Sequence, residues 1–311
     1  MNRLISLFVI IVLFAGAGLA LADTPGYVMR YADVNDTWIV FSYEDDLWLV
    51  PVEGGDARRI TSHQGRELYA KFSPDGSKLA FNANYDGGRD VYVMDVMGGV
   101  PERLTFHPSG GTVLGWTPDG ASVVFSSNRY APAYAAELYT VPVTGGAAVK
   151  LAVDRGSLAS FSPYGNAMAF NRFGRHTRTW KRYEGGNAQE IWIKDFESGD
   201  IRQFTDWQGS DQFPMFGDGV VYFGSDREDG TLNLYAQDVA SNEVTRLTDF
   251  TDYDVKWPSY GDGKIVFQHG ASLKVYDTAA GAVVDVVINI PSDRRHLRPE
   301  LITPSPRTGS F

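Results

Sequence analysis

An apolar residue followed by phenylalanine recurs six times along this 311-residue chain, each time shortly after a turn. The spacings between successive copies are 40, 44, 45, 53 and 44 residues, which is the period of a four-stranded propeller blade. No helical periodicity persists over a useful length. We therefore predict an all-β fold, a six-bladed β-propeller with four antiparallel strands per blade. The six anchor residues are Phe41, Phe81, Phe125, Phe170, Phe223 and Phe267.

Each period contains the same series of short strands and tight turns. A short strand such as Tyr69-Ala70-Lys71-Phe72 precedes a turn such as Pro74-Asp75-Gly76, and the phenylalanine strand follows. Proline presets the first turn dihedral and glycine adopts the positive φ that other residues resist. A third strand opens on an acidic or polar residue, as in Asp90-Val91-Tyr92, and a second glycine turn leads to a fourth strand that often ends in Leu-Thr.

The order of these strands predicts how the ring closes. The chain begins with a first-type strand near Tyr27 to Asp33 and ends blade six with a fourth-type strand near Ala282 to Asn289, so each blade is contiguous. We expect no strand-swapped closure, and a seam between the first and sixth blades that side-chain packing holds without a shared ladder. The loops between second and third strands vary most in length and should lie together on one face, where binding residues concentrate.

The two ends of the chain differ from the repeats. Residues 1–22 combine Arg3, an apolar run from Leu4 to Phe14 and the small-x-small end Ala20-Leu21-Ala22, which predicts a signal peptide cleaved before Asp23 and a periplasmic or secreted protein. The alternative is a membrane anchor. We assign the propeller to 23–292 and a linker into a further domain to 293–311. The chain has no cysteine, so its stability must come from a buried core.

Charge and motifs exclude several functions. The formal net charge of −10, which becomes −11 once Arg3 is removed, disfavours nucleic-acid binding. The chain has no Gly-x-Ser-x-Gly elbow, no phosphate-binding glycine motif and no histidines at metal-ligand spacing. Its acidic clusters lack the ligand spacing of a calcium loop. We predict no catalytic residue, no metal and no cofactor in this chain.

The long loop of the fourth blade is unusually basic. Its cations could capture an anionic group such as a peptide carboxylate. The alternative is a solvated loop, or one that pairs with acidic neighbours such as Asp226, Glu228 and Asp229. The cations of this loop are Arg172, Arg175, Arg178, Lys181 and Arg182.

Several longer segments resemble a known family. The sequences 180–186 (WKRYEGG) and 253–259 (YDVKWPS), with Phe213-Pro214-Met215 and Ser225-Asp226-Arg227 between them, are similar to the N-terminal propeller of tricorn-type proteases. The resemblance extends from Gly26 to Arg295. It implies a parent serine protease in which a second propeller, a PDZ module and a peptidase core follow this one.

The resemblance also implies a role in handling peptides. Propellers of this family are thought to guide oligopeptides, and basic residues are associated with holding the substrate carboxyl end. Arg129, on the variable loop of the third blade, is the best counterpart, with Arg178 and Arg182 as the other candidates. The implied partners are oligopeptides, the downstream domains and a homo-oligomer.

Two other functions remain open at this stage. The Ser-Pro-Asp-Gly and Gly-Gly-x-x-x-x-Leu-Thr patterns of the first blades fit a TolB-like periplasmic protein-binding scaffold equally well. A propeller lid of a prolyl-oligopeptidase-type enzyme is the third interpretation.

Overall fold

The computed structural model describes residues 28–131, 135–177 and 183–291, and within these ranges the regular elements are all β-strands. Six antiparallel sheets of four strands follow one another along the chain, and within each sheet the strands lie in sequence order. The predicted six-bladed architecture is therefore confirmed. We number the blades 1 to 6 in chain order.

The strands of blades 1 to 3 are β1 (Arg30–Val34), β2 (Trp38–Tyr43), β3 (Asp46–Pro51), β4 (Gly55–Asp56), β5 (Arg58–Arg59), β6 (Glu67–Phe72), β7 (Lys78–Ala83), β8 (Asp90–Asp95), β9 (Glu102–Arg103), β10 (Thr112–Trp116), β11 (Ser122–Ser127), β12 (Glu137–Pro142) and β13 (Val149–Lys150). Those of blades 4 to 6 are β14 (Leu158–Phe161), β15 (Ala167–Asn171), β16 (Ile191–Asp195), β17 (Ile201–Gln203), β18 (Asp211–Phe216), β19 (Val220–Ser225), β20 (Asn233–Asp238), β21 (Val244–Arg246), β22 (Val255–Gly261), β23 (Lys264–His269), β24 (Ser272–Asp277) and β25 (Ala282–Asp285). A last short strand, β26 (Ile288–Asn289), follows blade 6.

The anchor phenylalanines occupy the interfaces between blades. All six are fully buried, and each lies in a hydrophobic cluster that includes side chains of the preceding blade. Phe81 of blade 2, for example, packs with Leu47 and Leu49 of blade 1. Phe41 of blade 1 packs with Val266 and Leu273 of blade 6, so the same contact closes the ring. Burying an aromatic side chain of this size contributes roughly 1.5–3 kcal/mol.

A threonine that ends the fourth strand explains the recurring Leu-Thr pattern. In four blades the buried threonine hydroxyl accepts a hydrogen bond from a backbone N–H of the third strand. The donor is the aliphatic residue that follows the acidic or polar residue with which that strand's motif opens. Without this acceptor a buried N–H would be left unpaired. The pairs are Leu47 N with Thr61 Oγ1 at 2.8 Å, Val91 N with Thr105 at 3.0 Å, Ile191 N with Thr205 at 3.0 Å and Leu234 N with Thr248 at 2.9 Å.

The two faces of the ring carry different connections. Because neighbouring strands are antiparallel, the loops between second and third strands lie on one face, which we call the loop face. The Pro-Asp-Gly-type turns between first and second strands lie on the opposite face, which we call the turn face. Gly76 and Gly120 in these turns have φ of +68°, as the turn signature requires.

The seam between blades 1 and 6 differs from the prediction. No strand is exchanged between the two four-stranded sheets, but β26 pairs in parallel with β4, Ile288 opposite Gly55 and Asn289 opposite Asp56. The expectation that side chains alone hold the seam is therefore wrong. The predicted strand from Ala282 to Asn289 is divided, since β25 stays in blade 6 while β26 crosses to blade 1. Gly54 permits this approach, because a Cβ there would lie 2.5 Å from the carbonyl oxygen of Val287.

The seam is also tight on its channel side. A Cβ at Gly261, the last residue of β22, would lie 1.9 Å from the carbonyl oxygen of Val34 in blade 1. No flexible side chain can relieve that contact, because the obstructing atom belongs to the backbone. Blades 6 and 1 therefore close only with glycine at this position.

We expect Gly261→Ala to lower the free energy of unfolding by ~2–3 kcal/mol, through overpacking at the seam. Urea denaturation of the purified protein would measure the change. The matched control is Gly115→Ala, also on a first strand, where a Cβ would meet nothing within 4 Å. Equal losses for the two variants would contradict the steric account of closure.

Candidate functional site

A channel runs through the centre of the ring between the six first strands, β1, β6, β10, β14, β18 and β22. Its cavity has a volume of about 570 Å³, within the range typical of ligand sites. Ser73 and Pro74 line it near the turn face, and His176 lines it from the long loop of blade 4 on the loop face. A cavity of this size at the centre of the ring is the default place to look for a ligand site.

Four aromatic residues project into this channel from irregular points of the first strands. Tyr31, Tyr69, Phe213 and Trp257 have φ of +54°, +58°, +60° and +51°, the left-handed region that bulky residues avoid. Each lies where the pairing with the second strand shifts register, as at a β-bulge. A conformation of this kind costs of order 1–3 kcal/mol per residue and tends to cluster at functional sites.

The four rings contact one another across blades 5, 6, 1 and 2. The ring centroids of Tyr31 and Tyr69 are 4.2 Å apart, and that of Trp257 is 4.8 Å from Tyr31 and 5.6 Å from Tyr69. Phe213 lies 5.4 Å from Trp257 on the other side. We call these four residues the aromatic arc. His176 extends it, with its ring 5.3 Å from Trp257 and 5.7 Å from Phe213.

Two of the groups near the arc that can carry charge, His176 and Lys71, are neutral or paired, whereas the exposed guanidinium of Arg89 acts electrostatically on Tyr69. Burial lowers the pKa of His176 to about 4, so its ring is neutral at physiological pH. Deeper in the channel, Lys71 Nζ lies 3.3 Å from Asp33 Oδ1 and 2.5 Å from Ser259 Oγ, and the Ser259 hydroxyl donates to the same Asp33 carboxylate. These three residues join blades 1, 2 and 6 and leave the middle of the channel with a paired cation.

The arc is not predicted as a site from the sequence, although the strand and family motifs identified there contain residues of the arc. Its signal is an aromatic residue followed by a buried Ala or Pro at the same place in the repeat, as in Tyr69-Ala70 and Trp257-Pro258. Strand alternation predicts opposite faces for neighbouring side chains and cannot anticipate a residue with inverted φ. From sequence alone, the motif therefore predicts a regular strand with no ring turned into the channel.

We expect Tyr69→Gly to be more stable than Tyr69→Ala by about 1 kcal/mol, because only glycine adopts φ of +58° without strain. Both variants lose the same ring, so the difference in the free energy of unfolding reports the backbone. At Tyr92, an ordinary position of β8, the alanine variant should be the more stable of the pair. A more stable Tyr69→Ala would show that the left-handed conformation is not present in solution.

Arg129, the first predicted peptide-binding residue, lies on the loop that follows β11. Its guanidinium stacks 5.0 Å from the ring centroids of both Phe125 and Tyr139, and its Nε donates to Ser127 Oγ at 3.3 Å. Nη2 is buried without a hydrogen-bond partner among the described residues. Burial also lowers the pKa of this group. A desolvated cation with a free donor favours an anionic ligand.

Blade 5 contains the equivalent arginine in a satisfied form. Arg227, four residues after its anchor phenylalanine as Arg129 is, stacks over Phe223 and donates to both oxygens of buried Asp211, at 3.0 and 2.9 Å. Asp211 faces Ser225 at the start of β18, and the corresponding place in blade 3 is Gly111, just before β10. Blade 3 thus has the arginine without the carboxylate.

The basic loop of blade 4 is described only in part. Arg172 forms an ion pair with Asp154 and stacks 4.8 Å from the ring centroid of Trp192. Arg175 stacks 3.7 Å from the ring centroid of Tyr183, beside a second, polar cavity of about 50 Å³. Two of the three acidic neighbours named from the sequence have other partners: Asp226 accepts from Trp207 and Glu228 pairs with Arg246. Arg178, Lys181 and Arg182 lie outside the described residues, so their binding role stays a prediction.

Comparison with known proteins assigns the family. The family model described as "Tricorn protease N-terminal beta propeller domain" matches residues 26–282. The chain belongs to this tricorn protease propeller family. A tricorn protease homolog of Saccharolobus solfataricus is 30% identical over 275 residues, which cover 88% of this chain and 26% of that protein. A crystal structure of the tricorn protease superposes with a TM-score of 0.75 at 25% identity, covering 90% of this chain and 27% of that one.

Other propellers share the fold of this tricorn-type propeller. TolB of Acinetobacter baumannii superposes with a TM-score of 0.62 at 18% identity, covering 83% of this chain and 62% of that one. Identity this low shows the fold alone. The chain spans about a quarter of the length of the tricorn-type relatives it matches. Within residues 28–131, 135–177 and 183–291, no helix is long and apolar enough to cross a bilayer.

Blade 2 of this tricorn-type propeller has a glutamate at the position that Asp211 occupies in blade 5 and Gly111 in blade 3. Glu67 begins β6 and is fully buried, with its Oε2 accepting from Thr61 at 3.1 Å. Burial, reinforced by the nearby Asp46 carboxylate, raises its pKa to about 8. An ordinary glutamate in the unfolded chain releases its proton near pH 4.5. Between about pH 5 and 8, folded Glu67 therefore keeps a proton that the unfolded chain has already lost.

We expect the free energy of unfolding to fall as the pH rises from 5.5 to 8.5, because the unfolded state binds fewer protons over that range. Glu67→Gln, which is neutral throughout, should lose ~2 kcal/mol less than the wild type over the same range. Urea denaturation at the two pH values measures this difference. The control Glu243→Gln, at an exposed position, should follow the wild type. A Glu67→Gln profile parallel to the wild type would contradict burial of a neutral Glu67.

Proposed function

We propose that this propeller is a non-catalytic module of an exported tricorn-like serine peptidase, and that it binds oligopeptides by their C-terminal carboxylate at Arg129. The observation that carries the proposal is the buried, partnerless Nη2 of Arg129. The same fold pairs the equivalent Arg227 with Asp211 through two hydrogen bonds. A ligand carboxylate can accept charge-assisted hydrogen bonds from Arg129, as the Asp211 carboxylate does from Arg227.

The surroundings of Arg129 suit a carboxylate. Its guanidinium lies over the neighbouring rings of Phe125 and Tyr139 and is held by Ser127, so little side-chain entropy is lost when an anion binds. Its charge is partly removed from water, which strengthens a charge-assisted hydrogen bond. Tyr130 beside it is exposed on the loop face, where it also contacts His107. Arg129 is itself part-exposed, so a peptide end arriving at the loop face would meet this residue there.

The proposed partner domains rest on family membership, and the proposed export rests on the predicted signal peptide. Tricorn-type relatives are proteases about four times as long as the matched segment. We infer that a second propeller, a PDZ module and a peptidase core are the partners of this module, which guides or gates peptides for that core. Export to the periplasm or outside the cell rests on the predicted signal peptide, residues 1–22, which lie outside the described residues.

We expect the wild type to bind a short peptide with a free C-terminus about ten- to a hundredfold more tightly than its amidated form, the range that about 1.5–3 kcal/mol for one charge-assisted hydrogen bond gives. Arg129→Gln should abolish this ratio by removing the cation, whereas exposed Arg202→Gln, an arginine stacked on Phe204, should keep it. Isothermal titration calorimetry gives the six affinities, those of three proteins for two peptides.

Two outcomes contradict this assignment. Equal affinities of the wild type for acid and amide would rule out carboxylate binding. A ratio that survives Arg129→Gln but is lost in Arg178→Ala/Arg182→Ala would move the site to the basic loop of blade 4.

A further inference from the structure

We infer that the aromatic arc forms one wall of a second subsite, which receives an uncharged aromatic or aliphatic side chain of a peptide into the channel from the loop face. This subsite is separate from Arg129. It deepens the proposed peptide binding and rests on it for the nature of the ligand.

The arc has one surface packed and one surface open. The rings of Tyr31, Tyr69 and Trp257 contact one another, yet all three are only part-buried and border the central cavity. Core aromatics of this fold, such as the anchor phenylalanines, are fully buried. Ring surface left facing a cavity of about 570 Å³ is apolar area that a ligand can cover.

The opposite wall of the cavity leaves room for that ligand. Strained aromatics occur in blades 5, 6, 1 and 2, whereas the first strands of blades 3 and 4 have no described non-glycine residue at positive φ. The channel-lining residues there combine small side chains, such as Gly115 and Ala159, with larger apolar ones, among them Leu114, Trp116 and Leu158. Leu114 and Leu158 also pack in one cluster with Phe213 and Trp257 of the arc. The cavity of about 570 Å³ is therefore bounded by the four rings on one side and by aliphatic, aromatic and small residues on the other, and an apolar side chain can occupy the space between them.

The subsite is selective against charge. His176 at the arc contacts the rings of Phe213 and Trp257, and it is neutral at physiological pH because burial lowers its pKa to about 4. The channel cation Lys71 is already paired with Asp33 and Ser259. The exposed guanidinium of Arg89 is close enough to act electrostatically on Tyr69. Deeper in the channel a charged side chain would lose its hydration, whereas an apolar one would gain contact area.

The backbone of the arc indicates that ring placement is specifically maintained. Four separate blades each hold a bulky residue in the left-handed region, and the result in each is a ring that faces the channel. Glycine at any of these positions would remove the backbone strain and the ring together. Retention of four rings at strained positions on one continuous wall fits a binding surface better than it fits filling of the core.

The test uses peptides that cannot engage Arg129 through a carboxylate. The probes are N-acetyl-Gly-Gly-X-Gly-amide with X as Phe, Ala or Glu, titrated into the full chain by calorimetry. We expect the wild type to bind the Phe peptide at least about tenfold more tightly than the Ala peptide, as burial of one aromatic side chain predicts. The Glu peptide should bind no better than the Ala peptide.

Tyr69→Gly and Trp257→Gly should reduce the Phe-to-Ala preference below about threefold, because they remove the ring while glycine suits the backbone. Tyr164→Ala is the matched control: its ring is 75% exposed in a turn on the turn face, and the preference should persist. Arg129→Gln should also leave the preference unchanged. The ring resonances of Tyr31 and Tyr69 in wild-type protein should shift on addition of the Phe peptide, and those of Tyr164 should not.

The inference is overturned if the wild type does not prefer the Phe peptide, or if both glycine variants keep the preference. It is also overturned if the Phe peptide leaves the Tyr31 and Tyr69 resonances unmoved. A Phe preference that persists when free acids and amides bind equally would refute the role of Arg129 and support the arc. A preference for the free acid over the amide without a preference for Phe would refute the role of the arc and support that of Arg129.

Discussion

The whole ring depends on one repeated contact, the burial of each anchor phenylalanine against the blade before it. Because each anchor is covered partly by its predecessor, no blade buries its own core, and an opened ring would expose Phe41 on blade 1. Closure at the seam is therefore a condition for the stability of every blade. The short ladder between β26 and β4 and the lack of a Cβ at Gly261 both serve that closure.

Local signals explain how much of this architecture could be predicted from sequence. Phe41 and its five equivalents, the Asp-Gly turns and the Leu-Thr ends each reflect a short-range requirement: burial, positive φ or a partner for a buried N–H. The crossing of β26 to blade 1 joins residues more than 230 positions apart, and nothing in 282–289 marks where the strand divides. Long-range pairing of this kind is decided by the closed ring and not by local preference.

The candidate site shows the same limit at the level of single side chains. Ser127-Asn128-Arg129 and Ser225-Asp226-Arg227 are nearly identical as sequence, and both arginines stack on an anchor phenylalanine. They differ in the residue opposite, Gly111 or Asp211, which a linear motif does not contain. Only the register of the blades shows that one guanidinium is satisfied and the other has a free donor.

The overall charge of the protein explains why a peptide site here must be local. A chain of net charge −10 repels an anionic peptide end at long range, although salt screens this repulsion beyond roughly 8 Å. Electrostatic attraction of a peptide carboxylate can then come only from a cation at contact distance. Arg129 is partly removed from water, so its attraction for a carboxylate is weakly screened and strong. The aromatic arc adds a contact that depends on neither charge nor salt. Discrimination between peptides would thus lie in the position of one arginine and one apolar wall, not in the field of the protein.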